Sequence, residues 1–253
     1  MRLQGQAAVV TGAASGLGAA TAALLARAGC RVAVLDINRE AATASAARFG
    51  GLGVGCDVAD AASAEAALAE ARAAHGVERI LVNCAGIGAA GRIVGRDGPL
   101  PLAAFERVIR VNLIGTFNML RLSAAAMSVT EPLPQGERGV IINTASIAAY
   151  EGQVGQPAYA ASKGGVVSLT LPAARELARA GVRVMTIAPG LFHTPMVAGL
   201  PPEVQQSLAA GVPYPTRLGQ PEEFAALVEH IVTNPFLNGE VIRLDGALRM
   251  PPR

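Results

Sequence analysis

Short apolar runs alternate along this chain with longer, alanine-rich segments of helical periodicity. The apolar runs are Ala7–Val10, Arg31–Asp36, Leu52–Asp57, Arg79–Asn83, Gly139–Ser146, Val182–Gly190 and Gly239–Gly246. The helical segments include residues 16–28, 39–49, 61–75, 103–127 and 221–232. This alternation predicts parallel strands joined by helices that cover both faces of one sheet. We therefore predict an α/β, doubly wound, seven-stranded parallel sheet in a single domain, residues 1–253.

Composition and charge exclude several classes of protein. Hydrophobic residues make up 51% of the chain and charged residues 16%, which excludes a disordered protein. The formal net charge is +2 and no basic run is present, so we expect no nucleic-acid partner. The uncharged window 184–202 contains four prolines and makes a poor membrane-spanning helix, so we expect no membrane partner.

The cysteines and the N-terminus bear on the compartment. Cys30, Cys56 and Cys84 are too few and too far apart for a disulfide framework or a zinc site. The N-terminal sequence MRLQGQAAVVTG lacks the charged start and apolar stretch of a signal peptide. We predict a reducing, cytoplasmic compartment and no metal.

A glycine-rich turn, TGAASGLG, follows the first apolar run and opens the first helical segment. Gly12 permits a tight turn, whereas Gly16 and Gly18 let the backbone approach a pyrophosphate at a helix N-terminus. The spacing departs from the GxGxxG pattern, and the GK[ST] ending of a P-loop is missing. A tight turn without a ligand is the alternative interpretation.

Two aspartates follow the next strands. Asp36 ends the second run, where a carboxylate accepts both ribose hydroxyls of an adenosine and repels a 2′-phosphate. Although Arg39 lies close enough to meet such a phosphate, we predict NAD rather than NADP. Asp57 follows the third run and is placed to bond the adenine edge. For both aspartates, an ordinary helix-capping or turn role is the alternative.

The segment AYAASKGG places Tyr159 four residues before Lys163, on one helix face. A nearby ammonium favours the phenolate and lowers the tyrosine pKa from its usual value of roughly 10, as a general acid and base requires. Gly164 and Gly165 leave room for a ligand beside this helix. A packing tyrosine with a solvated lysine is the alternative.

Two further polar residues support the catalytic interpretation. Ser146 ends the fifth apolar run, where its hydroxyl can hydrogen-bond the same carbonyl oxygen as the tyrosine. Asn112 lies inside a predicted helix, where asparagine is unfavourable, so we predict that it holds a backbone carbonyl or a water near the lysine.

These motifs, with NCAG (Asn83–Gly86) and APG (Ala188–Gly190), occur in an order that resembles the short-chain dehydrogenase/reductase family over essentially the whole chain. The resemblance implies a Rossmann-like sheet, a nicotinamide cofactor and a Ser–Tyr–Lys centre. In it, Ser146 holds the substrate oxygen and Tyr159 takes the hydroxyl proton while a hydride passes to the nicotinamide. Lys163 lowers the tyrosine pKa and binds the nicotinamide ribose, and Asn112 orders water that leads to Lys163.

The second half resembles the branch of this family that oxidises (S)-3-hydroxyacyl-CoA with NAD as a homotetramer. That branch also includes enzymes of hydroxysteroids. Gln153 then joins Ser146 and Tyr159 at the substrate. The cofactor site implied comprises Gly12, Ser15, Gly16, Leu17, Gly18, Asp36, Asp57, Val58, Cys84, Ala85, Gly86, Tyr159, Lys163, Pro189, Phe192 and Thr194. Cys84 stands where many family members have a second asparagine.

Two loop segments depart from the βα alternation, Gly91–Leu102 and Phe192–Pro215, and we predict that they leave the carboxyl edge of the sheet as lids. The first looks short for this branch, which leaves the acyl chain length open. His193 is interpreted as a lid or surface histidine. The segment 221–232, with the last strand and the tail LRMPPR, is expected to pack between subunits.

Two other functions stay open at this point. One is a related carbonyl reductase, such as a 3-oxoacyl-carrier-protein reductase, which usually takes NADPH. The other is a cofactor-binding scaffold without turnover. Asp36 argues against the first and the complete Asn–Ser–Tyr–Lys set against the second.

Overall fold

The strands lie where the apolar runs predict them. The computed structural model describes residues 1–252, and of Met196 the backbone only. The strands are β1 Ala7–Thr11, β2 Arg31–Asp36, β3 Leu52–Gly55, β4 Ile80–Asn83, β5 Val94–Gly95, β6 Gly98–Pro99, β7 Gly139–Thr144, β8 Val182–Pro189 and β9 Val241–Leu244.

Seven of these strands form one parallel sheet in the order β3-β2-β1-β4-β7-β8-β9. Val9 of β1 lies opposite Ala33 on one side and Leu81 on the other. This confirms the predicted doubly wound, seven-stranded sheet. The strand order reverses between β1 and β4, so the crevice at their carboxyl ends is the expected ligand site of such a sheet.

The described residues include nine α-helices. They are α1 Gly16–Arg27, α2 Arg39–Ala47, α3 Ala61–His75, α4 Leu102–Ile109, α5 Gly115–Ser128, α6 Pro157–Leu177, α7 Pro195–Ala198, α8 Pro202–Ala210 and α9 Pro221–Thr233. The predicted long helix over 103–127 is confirmed, since α4 continues into α5 through a π-helical turn at Arg110–Ile114. A π turn holds one residue more than an α turn and is frequent at functional sites.

Successive side chains of each strand enter cores on opposite faces of the sheet. On one face Val10 packs with Leu25 of α1 and Phe224 of α9. On the other face Val9 packs with Leu68 of α3, in a core that also includes residues of α5 and α6. Because both faces are covered, the strands are largely apolar, with buried polar exceptions such as Arg183 and Thr186 of β8.

The two segments that depart from the alternation lie beyond the sheet strands. Gly91–Leu102 contains the short antiparallel ribbon of β5 and β6, and 192–215 contains α7 and α8. The apolar face of α9 packs against α1 within the chain, so that face is not available to a second subunit. Among residues 1–252, no helix is both long enough and apolar enough to cross a membrane.

Candidate active site

The glycines of the turn after β1 have different tasks. Gly12 has φ +62°, and a Cβ there would lie 2.6 Å from the Cα of Ala85. A Cβ on Gly18 would lie 2.5 Å from the Gly12 carbonyl oxygen. The chain's own backbone therefore leaves no room for a side chain at Gly18, and its approach to a pyrophosphate stays a prediction. Gly16 has φ +57°, and a Cβ there would lie 3.6 Å from the Thr194 side chain, in ordinary van der Waals contact.

The first turn of α1 keeps its backbone N–H groups available for an anion. Ser15 stands at the N-cap with extended backbone, and within the described chain its hydroxyl makes no capping hydrogen bond. Unpaired N–H groups at a helix N-terminus, together with the helix dipole, form an anion site. This donor set fits the pyrophosphate of a dinucleotide.

Asp36 is held at the end of β2 by backbone groups. Its two carboxylate oxygens accept hydrogen bonds from the N–H groups of Ala14 and Asn38, each at 3.2 Å. The side chain is half-buried and lies beside the glycine turn. Arg39 instead binds Glu70, with 2.6 Å between Nη2 and Oε1. The cation nearest to Asp36 in sequence is thus already paired with a carboxylate.

Asp57 and Val58 follow β3 and differ in exposure. Asp57 is exposed, and its Oδ1 accepts a hydrogen bond of 2.9 Å from the Ala59 N–H. Val58 is buried, and its carbonyl accepts a hydrogen bond from the side-chain amide of Asn118 at 2.9 Å. Of these two residues, only Asp57 presents a polar side chain to solvent.

Ser146, Tyr159 and Lys163 meet where β7 ends and α6 begins. Ser146 caps the short 3-10 turn that follows β7, accepting a hydrogen bond from the Ala148 N–H at 3.1 Å. Tyr159 lies in the first turn of α6, and the Lys163 Nζ lies 5.7 Å from the centroid of its ring. Lys163 is buried and donates to the Thr144 carbonyl at 2.8 Å.

Burial shifts the pKa values of both Tyr159 and Lys163. It raises the pKa of Tyr159, and a side-chain hydrogen bond with Ser146 opposes the rise. Burial also lowers the pKa of Lys163 to about 8, against a smaller opposing effect of Cys84. The Lys163 amine bonds the Thr144 carbonyl, and the prediction that Lys163 lowers the tyrosine pKa stays a prediction.

Asn112 lies in the π turn and clamps the backbone of Ile87. Its Oδ1 accepts from the Ile87 N–H at 2.8 Å, and its Nδ2 donates to the Ile87 carbonyl at 3.0 Å. Nδ2 also donates to Ser162 at 3.1 Å, and that hydroxyl donates to the Tyr159 carbonyl at 2.7 Å. The predicted backbone carbonyl is therefore that of Ile87, and Asn112 also supports Tyr159 through Ser162.

The remaining predicted residues of the site have mixed surroundings. Cys84 lies beside Thr144, whose hydroxyl contacts its sulfur at 3.5 Å, and burial raises the pKa of this thiol to about 11. Phe192 is buried, and Thr194 stands half-buried at the N-cap of α7. Gln153 donates a hydrogen bond of 3.1 Å to the Pro251 carbonyl. The structure therefore turns Gln153 toward the C-terminal residues.

The two glycines after Lys163 also have separate tasks. A Cβ on Gly165 would lie 2.7 Å from the Leu113 side chain, so this glycine admits the π turn rather than a ligand. A Cβ on Gly164 would meet nothing within 4 Å. Only Gly164 borders open space as expected.

Sequence reasoning missed Thr144, Ser162 and Ile87, which hold the lysine, the tyrosine backbone and the asparagine. Thr144 is the last residue of β7 and precedes Ser146 by two residues, so its carbonyl already lies at the same end of the sheet. Ile87 directly follows the NCAG motif. Ser162 carried no separate signal in the sequence.

A cavity of about 650 Å³ lies on the outer side of α1. It reaches Gly16 and Thr194 of the predicted cofactor site but neither Ser146 nor Tyr159. Cavity shape therefore does not locate the catalytic group, and we rely on the chemistry of the side chains. No cluster of three or more histidine, cysteine or acidic residues suited to a metal occurs within residues 1–252.

A doubly wound sheet with a glycine turn after its first strand, and with serine, tyrosine and lysine at its carboxyl edge, defines a nicotinamide-dependent oxidoreductase. The chain belongs to the short-chain dehydrogenase family, whose model matches residues 6–205.

Individual relatives cover almost the whole chain. It is 52% identical to 3-hydroxyacyl-CoA dehydrogenase type-2 of Homo sapiens, over 99% of this chain and 97% of that protein. The Bos taurus protein of the same name is 52% identical with the same coverage. The crystal structure of 3-hydroxyacyl-CoA dehydrogenase type-2 from Mycobacterium avium superposes with a TM-score of 0.93, at 44% identity and 98% coverage of both chains.

Proposed function

We propose that this protein is an NAD-dependent dehydrogenase that interconverts (S)-3-hydroxyacyl-CoA and 3-oxoacyl-CoA. The observation that carries the proposal is that Ser146, Tyr159 and the buried Lys163 meet at the edge of the sheet where the glycine turn lies, with the Lys163 Nζ 5.7 Å from the centroid of the tyrosine ring. The substrate class is supported by the 52% identity to the human enzyme named for that substrate.

The residues present fit a dinucleotide, and Asp36 favours NAD. The α1 N–H groups would hold the pyrophosphate, and the Asp36 carboxylate would accept the ribose hydroxyls. A 2′-phosphate would meet this carboxylate, while Arg39 is engaged by Glu70. When bound, the cofactor supplies the acceptor for the hydride. The rest of the proposed site comprises Gly12, Ser15, Gly16, Leu17, Gly18, Asp57, Val58, Cys84, Ala85, Gly86, Tyr159, Lys163, Pro189, Phe192 and Thr194.

Ser146 and Tyr159 act on the substrate oxygen in this proposal. The Ser146 hydroxyl donates a hydrogen bond to that oxygen, and the Tyr159 phenolate accepts the hydroxyl proton during oxidation. Because burial raises its pKa, Tyr159 holds its proton at neutral pH and is ready to donate it during reduction. Oxidation requires that this proton leave first.

Lys163 and Asn112 serve the tyrosine. Lys163, with a pKa of about 8, exchanges its own proton near neutral pH and is proposed to bind the nicotinamide ribose. Asn112 fixes the Tyr159 backbone through Ser162 and is proposed to order the water that leads to Lys163. Gln153 is proposed as a substrate contact.

The assembly and the compartment are part of the same proposal. We propose a cytoplasmic homotetramer, supported by the resemblance of the second half of the chain and by free thiols at all three cysteines. Ile114 and Phe117, about half exposed on the π turn and α5, support burial of that surface in an assembly.

The test is the oxidation of NADH and, in parallel, of NADPH by the purified protein with acetoacetyl-CoA. We expect turnover with NADH at least about tenfold faster than with NADPH, since one charge contact with the ribose is worth that factor. A 3-oxoacyl-carrier-protein substrate and a hydroxysteroid are run beside it. Faster turnover of either one, or a preference for NADPH, would reject the corresponding part of the proposal.

A further inference from the structure

The C-terminal tail, residues 245–252, crosses the carboxyl edge of the sheet and contacts the loop 150–156. This loop joins the 3-10 turn that begins after Ser146 to α6, which carries Tyr159. It therefore connects the two proposed reacting residues. Its own conformation sets where the substrate end of the site lies relative to them.

Two hydrogen bonds tie the loop to the tail. The Val154 N–H donates to the Pro252 carbonyl at 3.0 Å. The Gln153 side-chain amide donates to the Pro251 carbonyl at 3.1 Å. The side chain that the family resemblance assigns to the substrate thus takes its orientation from the tail.

The tail also packs against the 3-10 turn that follows Ser146 and against the segment that follows α8. Leu248 is buried in a small apolar cluster with Ile147, the residue after Ser146, and with Val212, which follows α8. A Cβ on Gly246 would lie 2.6 Å from the Val212 side chain, so the backbones run in close contact here. The tail therefore contacts the 3-10 turn, the loop 150–156 and the segment 192–215.

An ion pair fastens the loop beside these contacts. Arg243 of β9 binds both oxygens of Glu151, at 2.7 and 2.8 Å. The same guanidinium donates to Asp245 at 2.7 Å and to the Leu248 carbonyl at 3.1 Å. Arg249 lies 3.2 Å from Asp245 and 3.7 Å from Glu151. Arg243 is therefore bonded to the loop and to the tail at once.

The Arg243–Glu151 ion pair can hold the loop in one position. Arg243 and Glu151 are only 22% and 23% exposed, and bidentate arginine–carboxylate pairs are both strong and directional. The hydrogen bonds from Arg243 lower the pKa of Glu151, so the carboxylate stays charged at neutral pH.

We propose that Arg243 and Glu151 are positioning residues that fix the 150–156 loop on the C-terminal tail and thereby set the substrate end of the site. The inference rests on the proposed function for the identity of the reacting pair. Arg243 acts through Gln153 and the loop, since Tyr159 itself is held separately by Ser162 and α6. Substrate affinity should therefore depend on the pair more than the chemical step does.

The variant is Arg243→Met, and the matched control is Arg72→Met. Arg72 makes a comparable bidentate pair with Glu78, at 2.9 and 2.8 Å, beside the amino end of β4 and away from the site. Both variants remove one arginine from a bidentate carboxylate pair; Arg72→Met leaves the buried Glu78 without its cation, whereas Arg249 still lies near Glu151 and Asp245 in Arg243→Met. The control thus reports the loss of stability that any such change brings.

Two readouts separate positioning from stability. Hydrogen–deuterium exchange should be about tenfold faster for amides of 150–156 in Arg243→Met, and unchanged there in Arg72→Met. The KM for acetoacetyl-CoA should rise about tenfold in Arg243→Met, with kcat within about threefold and NADH affinity unchanged. Equal loop exchange in both variants, or a KM within about twofold of the parent, would overturn the inference.

Two further variants test the proposal if Arg243→Met does not fold, and the exchange measurement tests it if the protein shows no activity. Arg243→Lys keeps the charge but loses the bidentate geometry, and removal of residues 251–253 deletes the two carbonyl acceptors; each should loosen the same loop. If the parent protein turns over no 3-oxoacyl-CoA with either cofactor, the proposed function fails. The exchange of loop 150–156 still decides the positioning role in that case.

Discussion

The two ends of the crevice are held by different kinds of contact. At the cofactor end, backbone packs on backbone: Gly12 against Ala85, and Gly18 against Gly12. At the substrate end, side chains far apart in sequence meet. Arg243 and Glu151 are 92 residues apart, and Gln153 and Pro251 are 98 residues apart.

This difference explains why one end is easier to read from the sequence. A backbone that must turn tightly and pack closely requires glycine at fixed local positions, so the requirement is visible in a short motif. Contacts between side chains that are far apart in the sequence produce no short sequence motif. The contacts at the substrate end are therefore visible only in the folded chain, whereas the cofactor motif is visible in the sequence.

The largest expected effect separates chemistry from cofactor binding. Tyr159→Phe removes the proposed acid and base, and we expect kcat to fall by about 10²- to 10⁴-fold. NADH affinity, measured by fluorescence titration, should stay within about twofold, because the cofactor end is untouched.

Tyr214→Phe is the control for this change. It makes the same substitution at a tyrosine that is 82% exposed, so activity should be unaffected. Ordinary turnover by Tyr159→Phe would remove Tyr159 from the reaction.

The second prediction tests whether close backbone packing holds the cofactor end. Gly12→Ala must accept both a positive φ and a Cβ 2.6 Å from Ala85, so we expect a loss of about 3 kcal/mol or more in the free energy of unfolding. Gly50→Ala carries the same kind of φ, +72°, but meets nothing within 4 Å, and should cost only about 1 kcal/mol. Urea denaturation measures both, and equal losses would show that the contact with Ala85 is unimportant.

The third prediction concerns cofactor choice. Asp36→Ala should reduce the preference for NAD over NADP, as the ratio of kcat/KM, by about 10- to 100-fold, since a hydrogen-bonded charge is lost. Asp60→Ala removes another exposed aspartate, the cap of α3, which accepts from Ser63 N–H at 2.7 Å. It should cost about 1 kcal/mol of stability without changing the ratio. A ratio that Asp36→Ala leaves unchanged excludes Asp36 from the ribose site.

The smallest effect is the dependence of stability on Lys163 and pH. Its pKa is about 8 in the folded protein against 10.5 ordinarily, so between these values the unfolded chain holds a proton that the folded chain has released. Stability must therefore rise with pH in this window. Relative to Lys163→Met, the free energy of unfolding should increase by about 1.5 kcal/mol between about pH 8 and 9.5. If the free energy of unfolding depends on pH in the same way in the parent protein and in Lys163→Met, Lys163 is not buried as described.

The sheet was predictable because its strands are covered on both faces and are separated by helices. The positions of Ser146, Tyr159 and Lys163 at one edge follow from that order, since the carboxyl ends of parallel strands meet there. The turn at Gly12 was predictable because its conformation is local.

What could not be predicted depends on distances between separate segments. The sequence contains Gly18 but not the backbone that fills the space beside it. It contains Lys163 but not its burial, which lowers its pKa, or its bond to Thr144. Glu151 and Arg243 look like ordinary surface charges until the tail brings them together.

Because of the π turn at Arg110–Ile114, the segment from α4 to α5 cannot lose even one residue without a change in how its helices pack. Each residue of an α-helix advances the chain by about 100° around the axis. Deleting one residue here would give α4 and α5 one unbroken α-helical phase, and would rotate either buried Val108 or buried Met119 out of the core. A relative with a one-residue gap at this point has therefore exchanged the Asn112 clamp on Ile87 for a regular helix, whatever else its sequence retains.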